Sequence, residues 1–479
     1  MINDDHALTS EIALPAKRSK GKVIGIVVAA VAVVIAGAGL SFALLSGGGA
    51  QPEDILPKDT VALAKIDLNP KIGQRINLVR FLAKFPKTFR NFDQEDPVGS
   101  LINQTDASSE LQWSAIKPWI GTRYAVAVIE SSGAMNPILV VSVKDEAEVK
   151  YYLAKNYPEL NYEIISGFLV VAEKKSTLNL ITSAPSHLSD NDVYKSDMHA
   201  LGGDQIAVVW ADLKPIAQFA QNYINDFLYQ QGLSADLNTT KNSNGRVVIG
   251  MHFTSDTFVT DILTRGIGSE NQIQLDTSES LKILGDLPAS TLGAVNIEGI
   301  GASLTDGLLS NSAINDALNL IGLKAKDISE LLQGPIAVIA LDDGKTNDPL
   351  IFLRLTPKNP SQTIETIRMV LRRNGLDAGQ LDSLVIEDGQ YLYLGSDSAS
   401  IRKAILQTKN PASRLGDSGL FKKTLTKSGN FSAYVDLGSF LPKLSVDTKG
   451  APLGGLGISI GADLGSPGTS RTSIVLSLK

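Results

Sequence analysis

The chain has 479 residues, 43% of them hydrophobic and 20% charged, with a formal net charge of −6 and no cysteine. This is the composition of an ordinary folded protein with a proper core, and the acidic balance excludes a nucleic-acid surface and broad adsorption to anionic lipid. Without cysteine there are no disulfides, thiolate metal sites, cysteine nucleophiles or lipoprotein cleavage signals, so stability rests on packing alone.

The first element read along the chain is the run Val23 to Leu45, which carries no charged side chain and follows Lys17, Arg18, Lys20 and Lys22. At about 1.5 Å rise per residue it makes roughly 35 Å of helix, enough to cross a hydrocarbon core of about 30 Å. It is too long for the apolar region of a cleaved signal peptide. The basic cluster sets the topology with the N-terminus in the cytoplasm, so residues 1–22 are a cytoplasmic tail, 23–45 a transmembrane helix and 46–54 a linker. Everything from residue 46 to 479 is then expected outside the cytoplasm, at the cell membrane.

The remainder reads as a tandem repeat, 55–266 and 281–479, joined by a polar linker at 267–280. Leu56-Pro57 before Ala62 to Leu68 is answered by Leu287-Pro288 before Leu292 to Ile297, and Tyr124 to Ile129 by Ile336 to Leu341. Each of the latter two turns into a proline-led strand, Pro137 to Val143 and Pro349 to Leu355, which predicts hairpins. Ile206 to Leu213 with Trp-Ala-Asp-Leu is answered by Phe431 to Leu437 with Tyr-Val-Asp-Leu, and Val247 to Phe253 by Ile458 to Leu464. Spacing between landmarks drifts, as loops of different length on a shared core require.

Helical period appears between the strands. After Asn69-Pro70, residues Ile72, Ile76, Val79, Leu82 and Phe85 share one face expected to be inward, with Lys71, Arg75 and Arg80 outward. Asp145 to Lys155 is a second helix with acidic residues in its first turn, and Asn359-Pro360 opens its counterpart. Pro215 to Gln230 is an amphipathic helix with Ile216, Phe219, Tyr223 and Phe227 on one stripe, whereas Ser439 to Leu444 is a short link. The fold class is α+β: a single N-terminal transmembrane helix followed by two tandem repeats of a mostly antiparallel sheet with helices packed on one face.

Motifs that carry chemistry are weak. Gly416-Asp417-Ser418-Gly419 is similar to the tetrapeptide around the nucleophile of chymotrypsin-like proteases, but none of His6, His187, His199 and His252 stands in a matching motif. Asp417 or Ser418 reads as the cap of a helix from Gly419, with Ser196 and Asp197 in that role in the first half. The histidines lack zinc spacing, and Asp342, Asp343, Asn347 and Asp348 read as a turn rather than a calcium loop. Gly299-Ile-Gly301 and Gly454 to Gly457 fail the dinucleotide fingerprint. Asp212 and Asp436, at the same slot in both halves, read as inherited caps. No catalytic, cofactor-binding or metal residue is assigned.

Ile55-Leu-Pro-Lys-Asp-Thr60, Val61 to Asn69, and Gln74 to Pro86 with Phe81-Leu-Ala-Lys-Phe-Pro86, behind such an anchor, resemble a family of bacterial membrane-anchored proteins, domain of unknown function 3352. The resemblance implies a bacterial cell envelope and brings no activity, cofactor or site residue. The function expected is a non-enzymatic structural or protein-interaction module of the envelope, with an envelope protein as partner and no nucleic acid. The alternative is a carrier for a lipid or other apolar molecule beneath the 215–230 helix, which predicts a continuous apolar cavity.

Overall fold

A strand that is apolar on both faces needs cover on both sides, and this constraint sets the layering here. The computed structural model describes residues 49–85, 99, 113–218, 245–266, 280–299, 319–320, 324, 327, 330–344, 348–373, 375, 377, 384–410, 413–448, 450–462 and 468–479. The tail, the run 23–45 and most of the 267–280 linker lie outside these residues, and among the described ones no helix is long and apolar enough to cross a membrane.

The first half supplies strands β1 (Thr60–Asp67), β2 (Ile120–Ser131), β3 (Ala134–Val143), β4 (Asn161–Ile165), β5 (Phe168–Ala172), β6 (Ala207–Asp212), β7 (Arg246–Phe253) and β8 (Thr257–Arg265). Between them lie α1 (Ile72–Ala83), α2 (Trp113–Ile116), α3 (Glu146–Asn156), α4 (Lys175–Thr182) and α5 (Asp192–Leu201). The second supplies β9 (Thr291–Ile297), β10 (Ile336–Leu341), β11 (Leu350–Leu355), β12 (Val385–Asp388), β13 (Tyr391–Leu394), β14 (Phe431–Asp436), β15 (Leu453–Ala462) and β16 (Thr469–Leu478). Its helices are α6 (Ser280–Gly285), α7 (Pro360–Arg373), α8 (Ser398–Thr408), α9 (Gly419–Thr424) and α10 (Leu437–Lys443).

All sixteen strands form one antiparallel sheet in the order β12-β13-β11-β10-β9-β14-β15-β16-β8-β7-β6-β1-β2-β3-β5-β4. Read inward from either edge, the same eight-strand order occurs. Smaller features recur with it: a register shift at Thr60/Ala62 on β1 and at the matching turn of β9 against Leu341, and isolated bridges Pro57 to His187 and Pro288 to Arg414. The expectation of two separate sheets is nevertheless corrected. Thr257–Ser477 through Arg265–Thr469, nine residue pairs, join β8 to β16 and merge the halves into one ladder. Each half taken alone would end in a long bare strand, and pairing removes both edges at once.

The expectation of helices on one face is corrected as well. Phe168, Val170 and Ala172 of β5 point into the core under α4 and α5, with Leu178, Ile181, Tyr194 and Leu201. Leu169 and Val171 point the other way, to Leu78, Phe81 and Leu82 of α1 and to Val149 and Leu153 of α3. In the second half α8 and α9 cover one face through Ile401, Ala404, Ile405 and Phe421, and α7 the other through Ile364. The sheet is a middle layer, because runs such as Ile138 to Val141 alternate between two apolar sides rather than between core and water.

Three local readings also change. Helix α1 buries Leu78, Phe81 and Leu82, leaving Ile72, Ile76 and Val79 exposed, the reverse of the expected face for those three. The segment after Asp436 is the helix α10, not a link, since the Asp436 carboxylate accepts from the Ser439 amide at 3.0 Å. Helix α5 starts at Asp192 because Asn191 Oδ1 accepts from the amides of Val193 and Tyr194, so Ser196 and Asp197 lie inside it.

The glycines of β15 let α9 approach the sheet. A Cβ on Gly457 would collide with the Thr424 carbonyl, and one on Gly455 would stand 2.7 Å from Thr424 Oγ1. Gly457→Val is expected to cost about 1–3 kcal/mol of stability by overpacking, read as a lower urea midpoint at unchanged slope; an unchanged midpoint would show that α9 yields freely.

Candidate functional site

Charged side chains collect beneath α5 of the first half. Lys65 sits in mid β1 on the face it shares with Leu63, and there its ammonium pairs with Glu53 of a short 3-10 turn, Pro52–Asp54. The Tyr194 hydroxyl of α5 donates to the same Glu53 Oε1 at 3.2 Å. Burial, and then the Glu53 charge, push the Tyr194 phenol up, so it stays protonated at neutral pH and acts as a donor. Its ring meets Trp210 edge-on at 5.5 Å, and the Trp210 indole donates to Asp197 at 2.9 Å. Asp197 is fully buried and holds Arg246 at 2.7 Å and Arg265 at 3.2 Å. A polar line therefore crosses four strands, β1, β6, β7 and β8, under one helix.

Beside this line lies a cleft of about 280 Å³, whose lining includes Gln51, Glu53, Lys65, Asp67, Lys71 and Arg123. Its charges are mutually paired: Glu53 with Lys65, Asp67 with Arg123 at 3.0 Å and Lys71 with Asp204 at 2.7 Å. Two buried acceptors there, Glu53 Oε2 and Gln205 Oε1, carry no hydrogen bond. This is the chemistry of a charge-balanced polar cleft able to receive a hydrogen-bond donor. Among its described lining residues no nucleophile stands beside a free base.

The second half has the same frame with different contents. Phe421 stands edge-on to Tyr434 at 5.2 Å, as Tyr194 does to Trp210. The place of Asp197 is taken by Thr424, whose hydroxyl bonds Ser477 at 2.6 Å, and that of Arg246 by Gly455. Asn296 in the place of Lys65 donates to Glu298 at 3.1 Å. A further cleft of about 370 Å³ there is lined in part by Asp342, Asp343, Lys403 and Asp436. Asp342 pairs with Lys443 at 2.8 Å and accepts from the Gly344 amide, and these, Lys443 foremost, hold its carboxyl below the usual range.

The residues singled out in sequence fall as follows. Ser418 Oγ accepts from the Phe421 amide as the cap of α9, and Asp212 accepts from the Lys214 amide. Gly455 and Gly457 serve packing. Ile216 is half-buried, while Phe219, Tyr223, Phe227, Val23, Leu45, Lys17, Arg18, Lys20 and Lys22 lie outside the described residues. Among the described residues no cluster of His, Asp and Glu is placed to hold a metal; both clefts are lined in large part by polar and charged residues, and the helix expected to close an apolar cavity lies from residue 219 on outside the described residues. The Asp197 network was missed by sequence reasoning; its signal is a charge repeated at strand ends, Arg246 opposite Arg265. No family model, curated protein or solved structure matches the chain.

Removing a buried carboxylate leaves two guanidiniums without their counter-charge. Asp197→Ala is expected to cost about 3–5 kcal/mol, and the triple change Asp197→Thr, Arg246→Gly, Arg265→Ser, which copies the neutral set, to cost less by urea unfolding. A triple variant weaker than the single would show that the charges themselves stabilise the fold.

His252 gives a pH signature. Burial first, and then Lys427, hold its imidazole below the ordinary value against the pull of Asp261. Well above its ordinary value of about 6.5 it is neutral in both states, and as the pH drops through that value the unfolded chain takes up a proton that the folded one resists, so stability decreases as the pH decreases. His252→Gln should flatten the urea midpoint between about pH 7 and pH 5; an unaltered slope would assign the loss to other groups.

Proposed function

We propose that the sheet is a non-enzymatic interaction module, held outside the bacterial cytoplasm by the charge-free run 23–45, that docks another envelope protein on the part of β10 and β11 whose apolar side chains no described residue buries. One comparison between the halves carries this reading. The cross-strand pair Val126 and Leu139 packs into the core beside α1 and α3, Leu139 being 5% exposed. The equivalent pair, Val338 and Leu353, is 44% and 37% exposed, and Ile351 beside it 63%. Three large apolar side chains at neighbouring positions on one sheet face form a patch of the kind that marks protein contacts. The mutual pairing of the cleft charges supports binding over catalysis, and the family resemblance, resting on its quoted residues alone, supports the envelope setting.

A photo-crosslinking residue at Ile351 in the full chain, expressed in its own cells, should trap one discrete partner, and Val338→Glu with Leu353→Glu should abolish the adduct without moving the unfolding midpoint. No adduct at 351, with expression intact, would overturn the reading.

A further inference from the structure

Helix α1 carries two apolar stripes, and the fold uses one of them. Leu78, Phe81 and Leu82 enter the core with Phe253 and Tyr124. Ile72, Ile76 and Val79, spaced to lie along one line of the helix, are 66%, 45% and 44% exposed, and Ala83 continues the line. At about 100° per residue, Arg75 and Arg80 flank this stripe on its two sides. From Lys71 to Lys84 there are four basic residues and no acidic one, in a chain whose net charge is −6. An outward apolar line between arginines is the pattern of a helix that lies in a lipid headgroup layer.

The tether places that helix at the bilayer. The chain enters the described fold at Gly49, where a Cβ would stand 3.2 Å from Arg123, and the Arg123 guanidinium donates to the Ala50 carbonyl at 3.3 Å. Gln51, Pro70 and Lys71 line one cleft, so the entry point adjoins the start of α1. Three residues separate Leu45, the end of the charge-free run, from Gly49, and the four Cα-to-Cα steps span at most about 14 Å. The first turn of α1 is thereby kept within reach of the membrane surface.

We infer that α1 is a second membrane contact, its Ile72–Ile76–Val79 stripe seated among acyl chains and Arg75 and Arg80 on anionic lipid headgroups. The inference rests on the reading of Val23 to Leu45 as the anchor. It is compatible with the overall acidic charge because the contact is local and the tether supplies the proximity. The outcome is a fixed pose: the module rests on the bilayer instead of swinging on a stalk.

The chain has no cysteine, so each labelled position is unique. Full-length protein with Val33→Cys, Ile76→Cys or Leu406→Cys carries an environment-sensitive fluorophore and is reconstituted into phosphatidylcholine–phosphatidylglycerol vesicles containing a lipid-borne quencher. The inference requires quenching of most emission at 33 and 76, none at 406, and loss of the quenching at 76 with Arg75→Glu and Arg80→Glu. Quenching at 33 without quenching at 76 overturns the α1 contact and leaves the anchor standing. No quenching at 33 overturns the anchor and the inference with it. Emission at 76 that is blue-shifted in the vesicles yet untouched by the lipid-borne quencher means that protein covers the stripe, and likewise overturns the inference.

Discussion

The ladder between β8 and β16 carries more than hydrogen bonds. Asp261, at the middle of β8, is nearly buried, and its counter-charges come from the other half: Lys427 at 2.6 Å and Arg471 at 4.0 Å. Lys423 reaches Asp256 across the same seam at 3.0 Å, Arg471 donates to the Ala200 carbonyl, and Thr264 meets Ser470 at 2.6 Å. A buried carboxylate is tolerated when paired and strongly unfavourable when not, so the first half needs the second to hold this charge. Cover on both faces follows from the same arrangement, since a sheet this wide offers no room for a core except in layers above and below it.

Within this shared frame the two halves have diverged in what they bury. The first keeps a line of charge from Lys65 to Arg265, threaded past an aromatic pair; the second keeps the aromatic pair and replaces the charges by hydroxyls, an amide and glycine. The neutral version packs more closely, because glycine admits the backbone of α9 to the sheet. The charged version meets the sheet through side chains instead, Leu201 and Gln205 standing against Gly250, and a cleft lies beside it. Space and charge are thus exchanged for contact at the same point of one topology.

Much of this order could be read from residues. The strands around Tyr124, Ile138, Ile206 and Val247, and their matches, announce themselves as apolar runs between turns, and the Trp-Ala-Asp and Tyr-Val-Asp endings mark one position in both halves. What failed to show has physical causes. Period-two alternation cannot tell core from water when both faces are apolar, so the second helical layer was invisible. Helix α1 satisfies the helical spacing twice, through Ile72, Ile76 and Val79 and through Leu78, Phe81 and Leu82, and the aromatic-bearing set took the core. Ion pairs such as Asp197 with Arg265 join residues on different elements, and no local pattern announces a partner so far along the chain.

The seam also bears on inheritance. Two copies of a unit that fold independently can be lost, reordered or multiplied by recombination, each product remaining viable. Here a break after Gly266 would expose the full length of β8 and leave Asp261 without both of its cations. With that joint in place the halves are not separable modules: a rearrangement that parts them leaves a bare strand and an unpaired buried charge.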